Sequence, residues 1–184
     1  MDDDTVIHSY LETQASVCFS LLYSRYASKI YGKCISMLRD EAMAQDATQE
    51  IFTKIFLNLS SFGGKAKFST WVYSITYNYC IDYIRRKKKQ VALFTDDIER
   101  APDIVDEVPD EALLAMEVKQ LRTVLDHIPA GDRAVLLMKY QDELSIRDIA
   151  EILNNSESAI KMKIMRAKEK AQRVKRELFK EETL

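Results

Sequence analysis

Apolar residues recur at helical spacing through both ends of the chain. Val17, Leu21, Leu22, Tyr26, Ile30 and Leu38 predict one helix, and Ile51, Ile55, Phe56 and Leu59 a second. Ser60-Ser61-Phe62-Gly63-Gly64 breaks the pattern, its paired glycines marking a loop. Ser69 or Thr70 can cap a third helix that runs through Trp71, Val72, Ile75, Tyr79 and Ile81 to Ile84. Further on, a helix is predicted from about Glu111 to His127, then a break at Ile128-Pro129-Ala130-Gly131, then helices over Asp132 to Tyr140, Ser145 to Leu153, and from Glu157 onward. Between the two halves the period lapses. There Pro102 and Pro109 stand among acids, which reads as a linker. The expected fold is all-α: two small helical domains, residues 1–90 and 111–184, joined by a flexible acidic linker over 91–110.

Composition agrees with this division. The 184 residues are 47% hydrophobic and 30% charged, enough apolar material for a core and too much for global disorder. Only 4 Gly and 3 Pro occur, too few for an all-β chain with many tight turns. No apolar run is long enough to span a bilayer, so no membrane insertion is expected. The start Met1-Asp2-Asp3-Asp4 is acidic where a secretory signal is basic and then greasy, so the chain is expected to stay in the cytoplasm. Cys18, Cys34 and Cys80 are far apart in sequence and show neither a disulfide framework nor zinc spacing. Buried, reduced thiols are the expected state, with redox sensing the alternative.

The formal net charge of −2 conceals a segregation. Asp96, Asp97, Glu99, Asp103, Asp106, Glu107, Asp110 and Glu111 face Arg100 alone. Basic clusters lie on either side: Arg85-Arg86-Lys87-Lys88-Lys89, and the run Lys161, Lys163, Arg166, Lys168, Lys170, Arg173, Lys175, Arg176. Such a distribution implies polyanion contact at particular places.

Ser145 to Leu153, the turn Asn154-Asn155-Ser156 and the helix opening at Glu157 have helix-turn-helix patterning. Ile146, Ile149, Leu153, Ile160 and Ile164 would face one another, and Ala150 is small where crossing helices approach. The second helix projects Lys161, Met162, Lys163 and Arg166. The plain alternative is a helical hairpin with a solvated basic face. In the first half, Asp46, Gln49 and Glu50 share one helix face, suited either to a basic partner helix or to ordinary solvation. Phe68, Trp71, Tyr73, Tyr77, Tyr79 and Tyr83 ring a helix that ends in five cations. Aromatics among cations suit unpaired nucleic acid; they also suit a core.

The run from Asp46 to Phe52, through Phe68-Ser69-Thr70-Trp71-Val72-Tyr73-Ser74-Ile75, to Ile81-Asp82-Tyr83-Ile84-Arg85-Arg86 resembles region 2 of bacterial sigma factors. Ile128-Pro129, through Leu144 to Leu153, to Met165-Arg166-Ala167-Lys168 resembles region 4. The two in this order with a short linker resemble the extracytoplasmic-function (ECF) class of the sigma-70 family. The resemblance implies a promoter-specificity subunit, with core RNA polymerase and promoter DNA as partners and an anti-sigma factor as a further one. It implies docking on core polymerase through Asp46, Gln49, Glu50, Phe52 and Phe56. It implies −10 contacts from Ser60, Ser61, Phe62, Gly63, Gly64, Lys65, Lys67, Trp71, Tyr77, Asn78, Asp82, Arg85 and Arg86, with the loop from Ser60 to Lys67 capturing a flipped base. By position in region 4, Ser156, Ser158, Ala159, Lys161, Met162, Lys163 and Arg166 are the −35 contacts.

The chain departs from the family pattern at a few places. Met162 stands where a small polar residue is common, and Lys161 and Lys163 where Arg is frequent. Lys lacks the rigid fork with which Arg grips guanine. Tyr77 stands where an Arg is frequent, which would exchange a cation for a stacking surface. The acidic linker is expected either to imitate nucleic acid in a basic channel of the polymerase or to fold back on the chain's own basic faces. No phosphate-binding Gly loop, catalytic carboxylate pair or nucleophile-base set is recognisable, and His8 and His127 fit none, so no catalytic residue, metal or cofactor is expected. A stand-alone helix-turn-helix regulator and a decoy that cannot open promoters remain as alternatives.

Overall fold

The computed structural model describes residues 2–64, 66–92, 109–111 and 116–179, with side chains omitted for 90–92. Among the described residues the chain is helical and has no strand. It divides into two compact units, the first of Met1–Ile84 with Glu151–Leu153, the second of Arg85–Ala150 and Asn154–Leu184. Most of the acidic stretch, and the predicted helical turns at 112–115, lie outside the described residues.

The first unit opens with a helix that the apolar period did not predict, α1 (Asp3–Thr13). The Asp2 carboxylate caps it, accepting from the Thr5 backbone N–H at 2.8 Å, and Asp3 and Asp4 favour its positive end. α1 buries Val6 and Ile7 and is tied to α2 (Ser16–Leu38) by Asp3, which accepts from Arg25 Nη1 at 2.6 Å and from the Tyr26 hydroxyl. Arg39 in the left-handed region ends α2, and the Asp40 carboxylate, accepting from the Met43 N–H at 2.9 Å, starts α3 (Glu41–Leu57). A 3-10 turn over Leu59–Ser61 leads through the glycine loop to α4 (Phe68–Ala92), which begins one residue before the predicted caps. Leu22, Ile30 and Met37 of α2 interleave with Ile51 and Ile55 of α3 and Val72 of α4, all fully buried. Each such side chain withdrawn from water contributes roughly 1.5–3 kcal/mol.

The second unit holds α5 (Val118–His127), α6 (Ala130–Leu136), α7 (Ile146–Leu153) and α8 (Glu157–Leu178). Pro129 forces Ile128 into an extended conformation and so separates α5 from α6. α6 passes into a π-helical turn over Leu137–Gln141. The exposed C-terminal carbonyls of α5 meet the buried Arg133 guanidinium, whose Nε donates to Leu125 O at 2.7 Å and Nη2 to Asp126 O at 3.3 Å. Asp132, also buried, accepts from Lys170 Nζ at 2.6 Å and joins α6 to α8.

Arg133→Met keeps the aliphatic stem but leaves the end of α5 without its donors. It is expected to cost about 2–3 kcal/mol, read as a lower urea midpoint with unchanged slope.

Candidate nucleic-acid and polymerase interfaces

Ser145 and Asp148 cap α7 reciprocally. The Ser145 Oγ accepts from the Asp148 N–H at 3.1 Å and donates to the Asp148 carboxylate at 2.6 Å. Asn154 takes a left-handed conformation (φ 49°), and the Asn155 N–H bonds back to Ala150 O at 2.9 Å, closing the turn. Ser156 then caps α8, its Oγ accepting from the Ala159 N–H at 3.2 Å. Helix-turn-helix geometry is therefore built by local hydrogen bonds and then fixed by packing. Ile160, Ile164, Ala167 and Ala171, four and three apart along α8, are buried, as are Ile149 and Ala150 of α7. Ile146 and Leu153 stay half-buried at the margin.

That buried stripe leaves the opposite arc of α8 to solvent. Ser158, Ala159, Lys161, Met162 and Arg166 are exposed and Lys163 is half-exposed, so the expected −35 residues form one continuous surface. Ser156 differs from them, because its hydroxyl is occupied as the helix cap and also lies 3.3 Å from the Ser158 hydroxyl.

α4 is amphipathic in the same sense. Phe68, Val72, Thr76, Tyr77, Cys80 and Ile81 are buried, while Asn78, Asp82, Arg85 and Arg86 are exposed and Trp71 is half-buried. Trp71, Asn78, Asp82 and Arg85 recur at seven, four and three residues and lie along one face. At the head of that face Trp71 leans on Phe68 and Phe62, ring centroids 5.7 and 5.5 Å away. Phe62 is thus both a loop residue and the floor of an aromatic cluster. Ser60, Ser61, Gly63, Gly64 and Lys67 are exposed around it, and Lys65 lies outside the described residues. Gly64 holds φ +66°, where a side chain would strain the backbone.

Tyr77 does not belong to this face. It is 1% exposed and packs in the core, with the buried Lys33 ammonium 5.8 Å from its ring and 4.2 Å from that of Tyr73. The expected stacking surface at this position is absent, because seven residues of helix after Thr70 turn Tyr77 toward α2. Tyr79 and Tyr83, which are half-buried and stacked at 6.4 Å, retain accessible edges.

On α3, Asp46, Gln49 and Glu50 are exposed and share a face, as the spacing required. Phe52 does not join them: it is 5% exposed, pressed against Tyr23 at 4.5 Å. Phe56 is half-buried, its ring tilted against that of Phe19 with centroids 4.0 Å apart and edge-on to Tyr10 at 5.8 Å. Burial thus takes the Phe52 ring off the polar face and leaves only a rim of Phe56 beside it. The structure adds a residue that periodicity passed over. Leu57, 77% exposed, continues the Asp46, Glu50, Thr53 stripe. Phe19 and Tyr23 of α2 are part-exposed, and Val17, read as core from its spacing, is 70% exposed.

The acidic linker is described only at its end. Asp110 Oδ1 accepts from Lys168 Nζ at 2.6 Å and from the Tyr140 hydroxyl at 2.7 Å. These donors hold the Asp110 carboxyl below its ordinary range. Burial and the Asp110 carboxylate push the Tyr140 phenol up.

The geometry defines a helical protein in which α4 and α8 each bury one side and turn a polar, cation-bearing side to solvent. Comparison with known proteins agrees region by region. The Sigma-70 region 2 family matches residues 22–90, and the Sigma-70, region 4 family matches residues 119–170. The ECF RNA polymerase sigma factor SigW of Bacillus subtilis is 34% identical over 168 residues, covering 87% of this chain and 90% of that protein. The ECF RNA polymerase sigma-E factor of Escherichia coli K12 is 27% identical, covering 90% and 91%. Among solved structures, CnrH in complex with the cytosolic domain of CnrY matches with a TM-score of 0.65 at 18% identity, over 99% of this chain and 100% of that one. The sigma factor RpoE in complex with the anti-sigma factor NepR, from Bartonella quintana, matches at 0.61 and 18%, over 89% and 98%. The chain belongs to the sigma-70 family, as a sigma factor of the ECF class. It directs promoter-specific transcription by RNA polymerase, and the stand-alone regulator is not favoured. No described helix is long and apolar enough to cross a membrane.

Trp71→Ala is expected to lower open-complex yield by about tenfold, the worth of one stacked base, while binding to a duplex −35 fragment is unchanged. Tyr77→Phe is expected to leave both as they are. Permanganate footprinting and filter binding check the pair.

Proposed function

We propose that the work of this sigma factor is divided among three surfaces. The α3 face of Asp46, Gln49 and Glu50, extended by Leu57 and the rim of Phe56, docks on core polymerase. The loop from Ser60 to Lys67 and the α4 stripe of Trp71, Asn78, Asp82, Arg85 and Arg86 engage the −10 element. The exposed arc of α8 enters the major groove at the −35 element. Support comes from one observation above the rest: each expected surface is the solvent side of a helix whose other side is core.

Opening the duplex costs a few kcal/mol for each unstacked base, with no nucleotide hydrolysis to supply it. Phe62 and Trp71 offer half-exposed rings beside Lys67 and the arginines, the pairing of stack and charge that holds a single strand. Each unit alone binds weakly. Bound together on the polymerase, each raises the local concentration of the other at its element. The chain contributes recognition and strand capture, and RNA synthesis belongs to the polymerase. An anti-sigma factor is the proposed regulator, supported by the two fold neighbours, RpoE and CnrH, each solved with a bound partner. The cytoplasm, where the polymerase works, is the proposed location.

A pull-down of core polymerase on the full chain is the direct test. Asp46→Lys with Glu50→Lys is expected to abolish retention at moderate salt while both units stay folded by circular dichroism. Retention equal to the parent chain overturns the assignment of α3. Separately, Lys161→Ala and Arg166→Ala are each expected to weaken −35 binding by about tenfold. A contact to phosphate flattens the log–log salt slope by about one, whereas a contact to a base leaves the slope and relaxes the sequence preference.

A further inference from the structure

The three cysteines are distant in sequence, yet the fold brings two of them together. Cys34 of α2 and Cys80 of α4 are each 0% exposed, and the Cys80 thiol donates to Cys34 Sγ across 3.9 Å. The third, Cys18, is also buried but turned to a different neighbour, donating to Ser9 Oγ at 3.6 Å. Closing the Cys34–Cys80 pair to a bond of about 2.0 Å moves each sulfur by about 0.9 Å, within reach of side-chain rotation and a small helix adjustment.

We propose that Cys34 and Cys80 are a modification site: a dithiol that a hydroperoxide converts to an intramolecular disulfide, fastening α2 to α4. The two sulfurs are not equivalent. Cys34 accepts the Cys80 hydrogen bond and is further favoured as thiolate by the Thr48 hydroxyl, against the opposing effect of burial. Cys80, which donates and lies beside that sulfur, is held protonated. Cys34 is therefore the attacking thiol. Its sulfur displaces the far oxygen of the peroxide, giving a sulfenic acid and one molecule of alcohol or water. The Cys80 sulfur then attacks the sulfenic sulfur, the S–S bond forms, and the hydroxyl leaves as water with the Cys80 proton. Two electrons pass from the thiol pair to the peroxide. Full burial makes entry of the oxidant depend on local opening, so the pair reacts with sustained exposure and then stays closed.

The bond would close a loop between residues 46 apart and remove conformations from the unfolded chain. Its consequence for function, a more rigid seat for the −10 stripe, rests on the assignment of α4 above; formation of the bond does not.

The reduced full-length chain is treated with hydrogen peroxide, denatured, alkylated with N-ethylmaleimide and digested without reductant. Peptide mapping is expected to find residues 34–39 joined to residues 68–85, a loss of two mass units, and Cys18 alkylated, all reversed by dithiothreitol. Three alkylated cysteines, or a crosslink through Cys18, overturn the proposal. In Cys80→Ala the reaction is expected to stall as a sulfenic acid on Cys34 that dimedone traps. A dimedone adduct on Cys80 in Cys34→Ala, with none on Cys34 in Cys80→Ala, overturns the assigned roles. The map of the parent chain decides the matter even where a variant fails to fold. The oxidised parent is expected to melt about 10 °C higher than the reduced one. A fall in melting temperature overturns the claim that the bond fits the native packing.

Discussion

A helix that reads DNA must be held from behind by very little. α8 has one stripe for the fold and leaves most of its remaining circumference open for the contact proposed with the promoter, and the stripe is narrow: Ile160, Ile164, Ala167 and Ala171. The two alanines let the helix lie close to its neighbours, and the two isoleucines supply most of the apolar area. α4 meets the same demand with larger residues. Phe68, Val72, Tyr77 and Cys80 anchor it, and Thr76, fully buried, satisfies its own hydroxyl by donating to Val72 O at 2.9 Å. Burying a polar group is tolerable when its partner is one helical turn away. The exposed side chains of α4 and α8 take their orientation from these two seams.

The same division explains why each unit spends so much on its ends. Short helices are poor structures in water, and α6 and α7 are short. Ser145 with Asp148, Ser156 with Ala159, and Arg133 with the carbonyls of α5 satisfy backbone groups that every helix leaves open at its ends and that weigh most where the helix is short. The turn between α7 and α8 fixes the angle at which the exposed arc is offered. Its left-handed Asn154 is a residue type that tolerates that conformation at little cost. Position of the reading helix is thereby determined by a few local hydrogen bonds and a strip of packing.

Helix and turn could be read from period and punctuation, and the two families from their motifs; most of the predicted linker lies outside the described residues. What escaped was the direction each side of a helix faces. Val17 keeps the apolar spacing of core residues and yet is exposed, because periodicity reports an apolar stripe without saying whether the chain itself covers it, and Leu57, outside the predicted stripe, is an exposed apolar residue that the period did not single out. Tyr77 and Trp71 are both aromatic and sit six residues apart on one helix. Only packing against Lys33 and α2 sends the first inward. α1 went unread because its two buried residues, Val6 and Ile7, are adjacent and show no repeat, although the Asp2 cap and acidic first turn were present as signals. Cys34 and Cys80 belong to separate helices, and sequence distance says nothing about a contact between helices.

The chemistry of α8 has a consequence for how promoters are told apart. Lys161 and Lys163 are strongly hydrated point charges on flexible stems, so they hold phosphates well and discriminate among bases poorly. Met162 between them is apolar and adaptable, able to meet a thymine methyl but not to count hydrogen-bond donors and acceptors. Among the expected −35 residues, Arg166 is the one that carries a guanidinium fork. A −35 surface of this kind gives affinity, salt sensitivity and response to groove shape in larger measure than base-by-base selection. Under the proposed division of surfaces, selection then falls more heavily on the −10 side, where the loop and the rings of Phe62 and Trp71 are the proposed acceptors of an unstacked base. On that proposal, the packing of α2 against α4 behind those rings bears on specificity as well as on stability.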